Sequence, residues 1–492
     1  MNSLARTSLF SAAVVVASVG LGLGVSCTDQ TPPPPPSMPM ATPDLAQPTA
    51  EPDLAVPDVP TPTLTMVSPA SGPTAGGVLI TLKGTRFAPG ATVSFGGTQA
   101  TMVKVVSDTQ IEVTLPAKPG AFGKVAVTVN LQSGKSVTLA DAFSYYASSV
   151  SFSAPSFYAV GSDPVGLEFA DLNGDKKLDA IVTNSGSDNI SVLLGKGGGT
   201  FEAAASSPVA AQPMAVKSTD LNGNKKLDLV VACAYDNVVS VLLGKGDGTF
   251  AAPANVAVPQ NPQAILVGDF TGDGKDDVVT ASYDKASISV LTGKGDGTFG
   301  ATAQTTTVGS RPLGLAAVDL NGDKKLDLLV TNSGGSTLSI LLGKGDGTFD
   351  AKSQDVGQTP FAVALADVNG DGKADALVAN ADTNNVSVLL GKGDGSFDVK
   401  TAVSVGPGPN SVVSADLDGD GKLDLATANY TPDSISTFLG GGDGSFKSLA
   451  MTTVGAGVFA LHAPDLNADG KPDLALVARG TGKLQVLLNS SQ

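Results

Sequence analysis

Asp416-Leu417-Asp418-Gly419-Asp420-Gly421-Lys422-Leu423-Asp424 is the fullest of seven versions of one nine-residue pattern. The others begin at Asp171, Asp220, Asp269, Asp319, Asp367 and Asp465, so successive starts lie 49, 49, 50, 48, 49 and 49 residues apart. Oxygen-bearing side chains stand at positions 1, 3, 5 and 9, and a small residue at position 4 lets the backbone curl. Calcium is a hard cation that takes about six to eight oxygens, and a tight loop of alternating Asp/Asn side chains with a closing carboxylate supplies them. Here the side-chain ligands would be Asp416, Asp418, Asp420 and Asp424, with the Lys422 carbonyl at position 7. Polar hairpin turns are the competing reading, because Asn, Asp and Gly suit turns for backbone reasons alone. Seven copies in register, each closed by Asp at position 9, favour calcium. The EF-hand pattern does not fit, since it needs a Glu at position 12 and flanking helices. These loops sit between β-like runs.

Composition points the same way. The 492 residues carry a formal charge of −16 and contain one His and no Trp. An acidic surface argues against nucleic-acid binding, which needs a basic footprint. The loops hold 21 Asp at ligand positions, and seven calcium ions would bring the charge to about −2. Acidity also aids solubility, and the two explanations are compatible. The two cysteines, Cys27 and Cys233, lie in contexts too different for a disulfide. Cys233 falls in an apolar run and reads as a small buried hydrophobe.

The chain divides into four stretches: 1–26, 27–62, 63–147 and 148–492. Residues 1–26 read as an export signal, with Arg6, an apolar run from Leu9 to Val25, and small residues before Cys27. The run Leu23-Gly24-Val25-Ser26-Cys27 resembles a bacterial lipobox, with Gly24 where Leu is usual. That resemblance implies a lipidated Cys27 as the membrane anchor, and Thr28 after it leans towards the outer membrane. Simple cleavage after Ser26, giving a secreted or periplasmic protein, and an uncleaved anchor are the alternatives. Residues 27–62 form a Pro-rich linker with Pro32 to Pro36 in a row and no Lys or Arg. Such a segment cannot bury a core and favours extended polyproline II. At ~3.1 Å per residue it would reach up to roughly 100 Å.

Residues 63–147 read as a small β-sandwich, with strands at Val78–Leu82, Thr92–Phe95, Ile111–Leu115 and Val125–Val129 between turn clusters. Ser68-Pro69, Ser71-Gly72-Pro73, Gly76-Gly77, Gly84 with Phe87, Phe95-Gly96-Gly97 and Leu115-Pro116 resemble an IPT/TIG immunoglobulin-like domain. The resemblance implies a spacer or adhesion module.

Residues 148–492 are the repeats, with four strands in each 45–50-residue unit, a period that marks a propeller or an array. A proline stands seven residues before the first loop Asp in six units (Pro164, Pro213, Pro262, Pro312, Pro360, Pro409), and Val458 takes its place in the seventh. Proline fits a strand entry, where its missing N–H costs least. The fold class expected is therefore all-β, a seven-bladed propeller preceded by an immunoglobulin-like sandwich. The phase predicts closure: the last unit lacks its outer strand, and residues 151–158 are placed to supply it. A β-solenoid is the rival and has no need of that permuted start.

This region resembles the FG-GAP/VCBS repeats of integrin-like propellers. The resemblance implies calcium, up to seven ions, on one rim, and ligands on the other. Carried over by position, the sites are Asp171, Asn173, Asp175, Lys177 and Asp179; Asp220, Asn222, Asn224, Lys226 and Asp228; Asp269, Thr271, Asp273, Lys275 and Asp277; Asp319, Asn321, Asp323, Lys325 and Asp327; Asp367, Asn369, Asp371, Lys373 and Asp375; Asp416, Asp418, Asp420, Lys422 and Asp424; and Asp465, Asn467, Asp469, Lys471 and Asp473. Each Lys contributes its carbonyl. Ligand charge sets affinity, so the sixth site is expected to be tightest and the second, with Asn224, weakest. The Gly-Asp-Gly turns, such as Gly246-Asp247-Gly248, read as tight hairpins rather than second ion sites.

No zinc-ligand cluster, nucleophile elbow or phosphate loop occurs, His462 reads as structural, and the calcium loops absorb the paired carboxylates. The expectation is a non-enzymatic, exported, calcium-binding surface protein that uses its propeller for adhesion or for a protein or glycan partner. The alternatives are a structural envelope protein without a specific ligand, and a lectin. The missing Trp weakens the lectin, though Tyr235, Tyr283 and Tyr430, each just after a second strand, could stack on a sugar.

Overall fold

In a computed structural model, residues 61–119, 123–147, 149–300, 304–491 are described. The stretch expected to be an export signal, most of the Pro-rich stretch and Cys27 lie outside them. The first domain is a β-sandwich. One sheet runs in the order Thr63–Ser68, Leu79–Thr85, Gln110–Thr114, Val103–Ser107, and the other Ser71–Pro73, Ser136–Tyr146, Gly123–Asn130, Thr92–Phe95, Thr98–Gln99. Alternation along the strands sends Ile80, Leu82, Ile111 and Val113 inward onto Phe95, Phe143 and Tyr145. The Phe95 and Phe143 rings meet edge to face at 5.0 Å, and the Tyr145 hydroxyl donates to Pro116 O at 2.9 Å. The sequence reading passed over the long strand Ser136–Tyr146, whose mixed polar face hides its alternation.

The repeats form seven antiparallel blades, six of four strands and blade five with its outer strand split into Phe397–Val399 and Val403–Ser404. Blade one comprises Pro164–Ala170, Asp179–Asn184, Asn189–Leu193 and Ala205–Pro208. Each first strand begins at the expected Pro, or at Val458 in blade seven. Every second strand of blades one to six runs through six consecutive buried residues, such as Asp327–Asn332. A strand buried on both faces reads as a continuous apolar run, and this is why the repeats lack strict alternation. Apolar side chains fill the space between blades. The first strands of neighbouring blades touch in turn, and that of blade seven touches that of blade one. A ring, not a solenoid, is the result.

The ring closes as the phase predicts. Ser156–Ala159 pairs antiparallel with Lys483–Leu487 as the outer strand of blade seven, and Phe152 bridges Asn489. The seam also carries an ion pair that the repeat pattern hid. Arg479 of blade seven grips Asp163 at the entrance of blade one, with Nε–Oδ1 at 2.6 Å and Nη2–Oδ2 at 2.7 Å. Burial pushes the Asp163 carboxyl up, but the guanidinium outweighs it and holds the group below its ordinary value. Arg479→Ala is expected to cost about 1–2 kcal/mol, a bidentate charged pair discounted for its partial exposure. Amide exchange in Ser156–Ala159 should rise more than exchange in blade four.

Candidate metal-loop rim

All seven Asp loops join the first and second strands of their blades and so lie on one rim. Their hydrogen bonds repeat. In loop four the Asp319 carboxylate accepts the N–H groups of Gly322 (2.7 Å), Asp323 (3.2 Å) and Lys324 (2.7 Å). Asn321 Oδ1 accepts from Asp323 N at 2.9 Å, and Asp323 Oδ1 from Lys325 N at 3.0 Å. The position-1, -3 and -5 side chains therefore turn inward over a chain that winds around them. This is how a short loop gathers oxygens without long-range help.

Winding needs two left-handed residues, at positions 4 and 6. Position 4 is Gly in six loops and Ala468 in the seventh. Position 6, which the sequence reading did not single out, is Gly in loops three, five, six and seven but Lys176, Lys225 and Lys324 in the others, at φ 64–66°. An L-residue there costs about 1–2 kcal/mol. Lys324→Gly is expected to stabilise the fold by about 0.5–1 kcal/mol once the freer unfolded chain is counted, read as a higher urea midpoint.

The position-9 carboxylate does a different job. Asp327 Oδ2 accepts from Leu320 N (2.8 Å) and Oδ1 from Gly343 N at the end of the third strand (2.7 Å). The same bracket recurs at Asp179, Asp228, Asp277, Asp375, Asp424 and Asp473. In blades one to six the third-strand partner is Gly, sixteen residues on. A Cβ at Gly343 would lie 2.2 Å from Leu326 O, so no other residue fits without moving the loop. That spacing is the signal in the sequence that would have found it. Burial pushes all seven of these carboxyls up, Asp424 to about 7.

Loop six stands apart. Among the described residues, it is where three carboxylates, those of Asp416, Asp418 and Asp420, bring oxygens within 4.8 Å of one another. Asp418 is 6% exposed, and burial followed by the charge of Asp420 pushes its carboxyl up to about 6. Lys422 pairs with Asp420 at 3.0 Å. Lys177, Lys275, Lys325 and Lys373 reach their own position-5 Asp in the same way, at 2.9–3.8 Å. Loop two has Asn224 there, and its Asn222 amide donates to Asp228 (3.0 Å). In loop three the Thr271 N–H donates to Asp277 Oδ2 at 2.8 Å. Lys471 is buried and donates to Ser491 O at 2.6 Å. A hard-oxygen donor set with three converging carboxylates in loop six fits a calcium ion.

The Gly-Asp-Gly turns are hairpin turns. Gly246 and Gly248 have φ 78° and 81°, and Asp247 Oδ1 accepts from both the N–H and the hydroxyl of Thr249. They also interlock the rim. Gly347 N donates to Phe270 O of the preceding blade's loop (3.0 Å), and in blade seven the Asn489 amide does this to Leu417 O (2.9 Å).

Six overlapping matches to the FG-GAP-like repeat model, 171–231, 220–280, 269–330, 319–378, 367–427 and 416–476, span more than half the chain and reach all seven loops. The chain belongs to the FG-GAP-like repeat family. Residues 62–145 match the IPT/TIG domain model. No curated protein matches the sequence. Among solved structures, BBS1N in complex with ARL6DN, soaked with lead, is 12% identical with a TM-score of 0.50, covering 70% of this chain and 97% of that one. An auxiliary nutrient binding protein from Bacteroides ovatus is 11% identical (TM-score 0.42; 88% and 99% covered). A functionally unknown protein from Desulfotomaculum acetoxidans is 16% identical (TM-score 0.45; 63% and 91% covered). At these identities the likeness is one of fold alone.

The FG-GAP ring places the three tyrosines at the far ends of second strands, on the rim opposite the loops. Tyr235 is 76% exposed and Tyr430 39%, while the Arg311 guanidinium lies 5.8 Å from the centre of the Tyr283 ring. Cys233 is buried, and desolvation pushes its thiol up to about 11. His462 is half-buried with its ring edge-to-face on Phe169, and desolvation pushes its pKa down to about 3, so it stays neutral.

Proposed function

We propose that this protein is a calcium-stabilised binding module of the bacterial cell envelope, not an enzyme. The observation that carries the reading is the division of the ring into two unlike rims. One rim is built of oxygen-lined loops that would hold up to seven calcium ions, tightest at loop six and weakest at loop two. The other carries Tyr235 and Tyr430 at its surface and would offer a face to a protein or glycan. The export signal, the Cys27 anchor and the Pro-rich spacer support display on the outer membrane or cell surface, with the immunoglobulin-like domain as a second spacer. A glycan and protein array probed with the full chain in calcium tests this. Binding that Tyr235→Ala and Tyr430→Ala abolish is the expected result. Turnover of a model ester or glycoside by the purified protein would overturn the non-enzymatic reading.

A further inference from the structure

The immunoglobulin-like domain sits on one metal loop of the seven. Ala147, at the end of that domain, donates its N–H to Asp418 O at 2.5 Å, and the Ser144 hydroxyl donates to Gly419 O at 3.1 Å. Gly419 is buried and Asp420 half-buried, whereas their counterparts in loop one, Gly174 and Asp175, are exposed. The domain therefore covers the most acidic loop of the rim. It takes hold of two carbonyls whose direction depends on the left-handed turns at Gly419 (φ 81°) and Gly421 (φ 85°).

That contact is costly without a cation. Asp416, Asp418 and Asp420 converge beneath the covering domain, and Lys422 is paired to one of them. Carboxylates removed from water need a partner or must stay solvated. Lifting the domain would return water to Asp418. An ion bound by the same carboxylates would neutralise them and fix the backbone that Ala147 and Ser144 grip.

We infer that calcium at loop six is the clasp that fixes the immunoglobulin-like domain to the propeller, so that ion occupancy sets the orientation of the domain. The inference rests on the reading of the loops as calcium sites and goes beyond it in giving one of them a mechanical role. Linkage makes the effect reciprocal: calcium favours the seated domain, and the seated domain tightens calcium at loop six by the same factor.

Amide exchange of Ala147 in the full chain reports the clasp directly, with Val279 in the core of blade three as the control for global opening. Calcium should slow exchange at Ala147 about tenfold beyond any change at Val279. Asp418→Asn with Asp420→Asn should lose one bound ion and this protection together. Asp323→Asn with Asp319→Asn, in loop four, should lose one ion and keep the protection. Ala147→Pro, which removes the N–H, should weaken one ion about tenfold and leave the rest. If the loop-six variant loses one ion yet Ala147 keeps its calcium-dependent protection, or if Ala147 of the native chain exchanges alike in calcium and chelator while the ions bind, the clasp is wrong and the calcium reading stands. A full chain that binds no ion removes both, and the ion count separates the two failures. Should the double variant fail to fold, the native comparison and Ala147→Pro still decide.

Discussion

Stripping calcium from the full chain is expected to lower its apparent melting temperature by about 20 °C or more. A ligand that binds only the native state stabilises it by RT ln(1 + [L]/Kd), about 2.7 kcal/mol per site at a hundredfold excess over Kd. Seven independent sites would approach ~19 kcal/mol. A ring of this size unfolds with an entropy near ~0.7 kcal/mol/K, at ~2.1 cal/mol/K per residue. The pH dependence carries a sign of its own. Burial raises the folded-state pKa values of Asp418, to about 6, and Asp424, to about 7. A carboxyl raised on folding destabilises the native state once it ionises, so metal-free protein loses stability as pH rises from the unfolded value of ~3.9 through those values. In chelator the protein should melt higher at pH 5.5 than at 7.5. In calcium the order should reverse, because protons compete with the ion for the oxygens of Asp416, Asp418 and Asp420.

Asp327→Ala is expected to cost about 3 kcal/mol or more, with calcium or without it. The carboxylate accepts from two buried backbone donors, Leu320 N and Gly343 N. Removing it orphans both, at about 1–3 kcal/mol each. Asp323→Ala, four residues earlier in the same loop, removes an exposed group whose main partners are the Lys325 amide and ammonium. Its cost should be small in chelator and appear when calcium is present. Denaturant midpoints for the two variants in both conditions separate a carboxylate that builds the loop from one that serves the ion. Equal calcium dependence in both would overturn the division of labour.

The fold was legible because repetition multiplied weak signals. One Asp-x-Asn-x-Asp is a turn, whereas seven in phase with a proline fixed the strand entries, the blade count and the strand borrowed across the seam. The Gly-Asp-Gly turns were also read correctly as hairpins. What stayed hidden was whatever the repeat does not contain. Arg479 and Asp163 lie 316 positions apart and meet only because the ring closes. The seat of Ala147 on Asp418 joins two domains, and no periodicity within either points to it. A third group was visible but unread: the Gly sixteen residues beyond the position-9 Asp of blades one to six, and the left-handed sixth position. Both are backbone requirements, and they matter only once the loop's path is known.

The account stands on the Asp loops being ion sites, and native mass spectrometry of the full chain in calcium tests that most directly. Six or seven bound ions, with loop two the first to empty and loop six the last, is the result predicted. A protein that remains folded in excess calcium and carries no ion would contradict it, and would make the seven loops turns held by their own backbone hydrogen bonds.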